Sequence, residues 1–232
     1  MTKYYHFTAT SNLYSIMKNG LIPQKGYRTA SILDNTKAVF LSYGIDKSIK
    51  MYAQMRGYYN KVKGEGGDNA LQSCYRDINF FNNLPGDHEN DIRECYADIN
   101  RINSMRSFNS FNEYLGGSCR LLSVTGVNVK NVNVPEDCHC EDLIPPSQIK
   151  LLYLVDKNTG YCIYELEPIL AYCMHSFKVN YFIGDTNEDV KKLYNYMMNS
   201  YLWGYDSNNY QLFELPIICF DQDYQNENMM RY

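Results

Sequence analysis

Tyr4–Pro23, YYHFTATSNLYSIMKNGLIP, reads as a strand, a polar corner and a short helix that stops abruptly. Tyr4, Tyr5 and Phe7 suit a strand. Thr10, Ser11 and Asn12 all carry side-chain oxygens able to accept from the free N–H groups at a helix start. Leu13, Ile16 and Met17 fall at i, i+3 and i+4, which makes one apolar stripe. Asn19-Gly20 ends the helix, because glycine takes the left-handed conformation there at little cost. Pro23 prevents it from resuming. His6 and Thr8 are left as polar residues at the strand end, where side chains are held firmly yet remain reachable by a ligand.

Working outward, a loop containing Arg28 leads to Ala38–Ser42, a short apolar strand. Tyr43-Gly44 turns out of it, Asp46 can cap, and a helix is expected from Lys47 to Tyr59, with Ile49, Tyr52 or Ala53, and Met55 or Arg56 as its stripe. Residues 60–115 read as a helical insertion. NKVKGEGGDN is a linker, and segments near Asn69–Phe81 and Glu89–Phe108 are helical. In the second, Ile92, Cys95, Ile99, Ile102, Met105 and Phe108 recur every three or four residues. After Gly116-Gly117 strands dominate: Cys119–Val124, Val127–Val134, Ile149–Val155, Tyr161–Glu165, Val179–Ile183 and Leu212–Phe220. Asp156–Gly160 is a hairpin turn. A late helix spans Asn187–Tyr201, and the tail after Asp223 is polar. Strands grouped after a helical stretch predict an α+β fold, residues 1–232 forming one domain with peripheral helices.

The chain has 232 residues, 45% hydrophobic and 21% charged, with a net charge of −4, so it is globular and exerts no overall pull on nucleic acid or acidic membrane. No apolar run is long enough to span a bilayer, and MTKYYHF lacks the apolar core of a signal peptide. The expected location is the cytoplasm, and the eight cysteines are expected as free thiols. Cys138-His139-Cys140 is a poor zinc signal, since paired cysteines usually stand two or more residues apart, so no metal is expected.

Taken one at a time, the residues with chemical potential have plain structural readings. His6 fits a satisfied structural histidine, Tyr52 the core of a helix, and Glu141-Asp142 a solvated turn. Their order gives them a second meaning. His6-x-Thr8 followed by Asn12, Leu13, Ile16, Gly20, Leu21 and Pro23 resembles the first motif of ADP-ribosyltransferase-like domains. Lys47–Tyr52, after the Ala38–Ser42 strand, resembles the second, with Tyr52 or Tyr43 as its aromatic. Cys140-Glu141-Asp142-Leu143-Ile144-Pro145-Pro146-Ser147-Gln148-Ile149 resembles the third, in which a glutamate precedes a proline-rich turn into a strand.

The resemblance implies a split, mainly antiparallel β-sandwich and an enzyme that cleaves NAD. His6 would orient the cofactor. Thr8, Ser42 and Tyr43 would contact it, and Tyr52 would stack on nicotinamide. Glu141 would stabilise the oxocarbenium-like ribose through its charge. A macromolecular acceptor follows, with protein favoured by the acidic composition and DNA or RNA as the alternative; such proteins include toxins and effectors. Phe7 stands where polymerase-type members carry glycine. His139 occupies the position at which arginine-directed members carry an acid. Arg28 is the one arginine near the first motif that an RNA 2′-phosphotransferase could use. A nucleotide- or partner-binding module without turnover is the competing class.

Overall fold

A computed structural model describes residues 2–24, 37–64, 66–131, 137–176, 188, 191–192, 195 and 204–220. The loop with Arg28, the expected strand Val179–Ile183, most of the expected helix Asn187–Tyr201 and the polar tail lie outside the described residues, as do the side chains of Asp46 and Ile49.

The opening stretch folds as its residue types require. Strand β1 (Lys3–Ala9) runs into a 3-10 turn (Thr10–Asn12) and helix α1 (Leu13–Asn19). The polar corner serves other ends than capping. Thr10 Oγ1 donates to Ser118 O at 2.5 Å, and Asn12 Nδ2 donates to Thr8 Oγ1 at 3.2 Å. Gly20 ends the helix as expected, but at φ 77 and ψ −169, an extended positive-φ conformation open essentially to glycine rather than the left-handed helical one.

Strand β2 (Val39–Tyr43) follows, then three long helices, α2 (Gly44–Lys63), α3 (Gly66–Asn83) and α4 (Glu89–Ser107), and the short α5 (Phe111–Leu115). Gly64, Gly66 and Gly67 belong to a tight corner rather than a linker. A methyl on Gly67 would meet the Val62 carbonyl oxygen at 2.1 Å, so the two helices approach as only glycine permits. The α4 stripe is buried at Ile99, Ile102 and Met105.

The remaining described strands are β3 (Cys119–Thr125), β4 (Lys130–Asn131), β5 (Asp137–Cys140), β6 (Ile149–Asp156), β7 (Cys162–Ile163) and β8 (Tyr210–Pro216). They form one sheet in the order β4-β5-β2-β1-β3-β6-β7, with β8 on the other edge of β6, and every pairing is antiparallel. The fold is α+β and antiparallel, as expected. Strand β6 is where it divides: β3 pairs with its first residues, β7 with its later ones, and β8 spans the opposite edge.

Side-chain alternation assigns the two faces. Tyr5, Phe7, Leu121, Leu152 and Leu154 pack with α2, α4, α5 and helix α6 (Leu166–Ser176). Tyr4, Leu41, Leu122, Val124, Ile149 and Leu151 pack with α1 on the other face. The sequence pattern assigns no element to the residues of helix α6. Leu166 and Pro168–Met174 are all buried, so no polar stripe betrays its period. No described helix is long and apolar enough to cross a membrane.

Candidate functional site

Strands β1 and β2 are partners for only two residue pairs, Tyr4–Tyr43 and Tyr5–Ser42. Beyond them β1 continues along β3 to Ala9, while β2 continues along β5 from Leu41 back to Val39. The sheet therefore opens between His6–Ala9 and Ala38–Leu41. A cleft of about 770 Å³ occupies the opening. Residues 6–9 of β1, 38–40 leading into β2, α1 with Gly20–Ile22, one side of α2, and Arg101 and Met105 of α4 border it. Consecutive β1 residues belong to alternate faces, so the cleft communicates with both. Its volume lies within the range of about 300–1,000 Å³ usual for small-molecule sites.

His6 spans the opening. Its Nδ1–H donates to the Phe40 carbonyl at 2.8 Å, in place of the strand pairing that ended at Tyr5. A carbonyl only accepts, so the proton sits on Nδ1 and Nε2 keeps its lone pair. Burial lowers the imidazole pKa, and the Phe40 hydrogen bond opposes this only in part. His6 is thus a neutral hydrogen-bond acceptor in the cleft wall. Thr8, two residues on, shares its face and also borders the cleft.

The other expected residues lie apart. Ser42 is buried on the α2 face. Its hydroxyl donates to Tyr5 O at 3.3 Å and bonds the Ser48 hydroxyl, which anchors α2 to the sheet. Tyr43 is at the paired end of β2, with its ring 5.2 Å from that of Tyr4. Tyr52 is 1% exposed and borders the core rather than the cleft. Its hydroxyl donates to Glu167 Oε1 at 2.8 Å, and Arg56 pairs with the same carboxylate. Burial, reinforced by Glu167, raises its pKa far above the ordinary phenol value. Its ring meets Phe7, which does border the cleft, edge-on at 5.9 Å.

Glu141 stands one residue past β5. Its Oε2 accepts from Lys130 Nζ at 2.6 Å and its Oε1 from His139 Nε2 at 3.2 Å. Those hydrogen bonds, Lys130 first, lower its pKa, so it is an anion at neutral pH. The carboxylate lies with His139 on the face of Phe40, opposite to that of His6. Cys138 and Cys140 turn the other way into the core. None of the eight cysteines is in a disulfide, and no group of metal-binding side chains exists among the described residues. Glu141 itself does not border the cleft, but residues on either side of it pair with residues that do. Cys140 pairs with Val39 and Ile144 bridges to Leu21, and both partners border the opening.

Two residues of the site escaped the sequence reading. Tyr58 and Arg101 both border the cleft, and the guanidinium lies 5.2 Å from the Tyr58 ring centre. The signal for Tyr58 was present. Met51, Met55 and Tyr58 repeat at i, i+4 and i+7, a second stripe beside the core stripe of Tyr52, Tyr59 and Val62. Arg101 gave none, because its nearness to β1 depends on how α4 folds back. Comparisons with known protein families, with curated proteins and with solved structures find no match for this chain.

Proposed function

We propose that the chain is a mono-ADP-ribosyltransferase that uses NAD as its substrate and a macromolecule, protein by preference, as acceptor. The observation that carries this reading is the parting of β1 and β2 at His6. It sets a neutral imidazole and a threonine hydroxyl, both from the first motif, in the wall of a cleft large enough for a dinucleotide.

In this reading His6 Nε2 accepts from a ribose hydroxyl and holds the sugar while the nicotinamide bond lengthens. Phe7, Phe40 and Tyr58 offer the aromatic surface for a flat base. Tyr52 acts on the site through Phe7, as a positioning residue. Glu141 supplies the negative charge that offsets the developing oxocarbenium ion, its carboxylate turning from Lys130 toward the opening when NAD is bound. This chemistry needs no metal. DNA and RNA are the alternative acceptors.

A second reading has a specific observation in its favour. Both Glu141 oxygens are already engaged, on the far face from His6. A domain that binds the nucleotide without turning it over would look the same.

Calorimetric titration with NAD, together with nicotinamide release, separates the two. The transferase reading expects binding and release. It also expects Glu141→Gln to lower kcat by about two to three powers of ten with little change in NAD affinity, as for loss of one electrostatic stabiliser. His6→Ala should instead weaken NAD binding. Binding without release selects the binding module. Undiminished turnover in Glu141→Gln removes the role given to that residue.

A further inference from the structure

We infer that the helical insertion supplies the phosphate-recognition end of the cleft, with Arg101 of α4, stacked on Tyr58 of α2, as the contact for the anionic part of a nucleotide. The inference rests on the nucleotide reading above and adds to it the site's charge logic and orientation.

Among the described residues that border the cleft, Arg101 is the one with a formal charge at neutral pH. Among the described residues no aspartate, glutamate or lysine borders it, and burial keeps His6 neutral. A guanidinium in a largely apolar cleft favours an anionic ligand, and the anion Arg101 now holds is the half-exposed Asp98 of its own helix. The arginine is also held ready. Its guanidinium lies over Tyr58, and its Nη2 donates to Asp98 Oδ1 at 2.5 Å. Its Nε is buried with no hydrogen-bond partner, and a quarter of the side chain remains exposed. A guanidinium offers five N–H donors. The Asp98 bond uses one of them, and Asp98 is itself half exposed, so water already competes for that carboxylate. Donors therefore remain for a phosphate, whose geometry a guanidinium fork fits.

The arrangement also gives the cleft a direction. His6, Thr8 and Asn12 form the uncharged polar end at β1, suited to sugar hydroxyls. Arg101 and Tyr58 lie on the helical wall, with Met51, Met55 and Met105 as adaptable apolar surface along that wall. A nucleotide lying along the cleft thus meets hydroxyl recognition at one end and charge recognition at the other. The insertion is part of the binding site, and α2–α4 cannot be removed without opening it.

The test compares ADP, AMP and adenosine binding by calorimetry in the full chain, at low and at high salt. The wild-type protein should bind ADP at least about tenfold more tightly than adenosine at low salt, with the difference shrinking as salt screens the contact. Arg101→Gln should abolish the ADP preference and leave adenosine affinity within about twofold. Arg101→Lys, which keeps the charge and loses the fork, should retain part of it. Arg93→Gln, an exposed residue of the same helix, controls for net charge and should change nothing. An ADP preference that persists in a folded Arg101→Gln protein overturns the inference while leaving the nucleotide reading intact. Equal binding of ADP and adenosine by the wild type, at any salt, does the same. Absence of binding by all three ligands overturns both. If Arg101→Gln fails to fold, the Arg101→Lys protein and the wild-type salt dependence decide the matter.

Discussion

His6 sits at the point where hydrogen bonding and burial pull in opposite directions. The Phe40 carbonyl favours a proton on the ring, and desolvation disfavours it more strongly. The folded-state pKa is therefore depressed below the ordinary value of about 6.5. As pH falls through that value the unfolded chain takes up a proton that the folded chain resists. The stability contributed by neutral His6 is complete above about pH 6.5 and is lost as pH falls toward the lowered pKa. Urea unfolding of wild type and His6→Gln between pH 7.5 and 5 isolates this from the other histidines. The wild type should lose stability more steeply, by up to about 1.4 kcal/mol per pH unit. Parallel curves would mean that His6 titrates normally in the fold. At this scale the sequence was informative where a residue's role is local. The pair His6 and Thr8 shares a face and a cleft because strand period alone puts residues i and i+2 together. Tyr52 and Glu141 were not legible in this way. Which face of α2 meets the sheet, and which way a residue just past β5 turns, are set by packing between elements distant in sequence.

At the scale of elements, α1 is held against the proline-rich turn before β6 by a contact only glycine allows. Gly20 ends the helix at φ 77, and a methyl group there would meet the Ile144 carbonyl oxygen at 2.1 Å. That same carbonyl accepts from Leu21 N at 2.9 Å, and Ile144 N returns a bond to Leu21 O at 3.1 Å. Gly20→Ala should thus cost about 2–4 kcal/mol of unfolding free energy, from a penalty of about 1–3 kcal/mol for a backbone conformation open essentially to glycine plus a strained hydrogen-bonded bridge. Denaturant unfolding measures it, and an unchanged midpoint would show that the chain relaxes around the contact. The helix stop at Asn19-Gly20, the α4 stripe and the strands β2, β3 and β6 were all legible, because each carries its own period or punctuation. The full length of α2 and the whole of α6 were not. Strand β7 shrank to Cys162–Ile163 because the residues after it enter α6. There, burial on every side replaces the amphipathic pattern that makes a helix visible.

For the molecule as a whole, the decisive feature is an absence of pairing. Two neighbouring strands of a continuous antiparallel sheet stay together for two residue pairs and then diverge. Composition shows nothing of this, since both strands carry the backbone groups to go on pairing. It becomes visible only when β1 is seen to follow β3 and β2 to follow β5. The opening gathers residues from the first strand, the second strand and the insertion into one cleft, and the proposed function requires that cleft to bind NAD. Hydrogen–deuterium exchange of the full chain, with and without saturating NAD, reads binding at the backbone of the cleft itself. Slower exchange is expected at the amides of His6–Ala9, Ala38–Leu41 and the Tyr58 turn of α2, with β6 and β8 unchanged. Exchange in those three segments unaffected by NAD would mean that the cleft is not an NAD site.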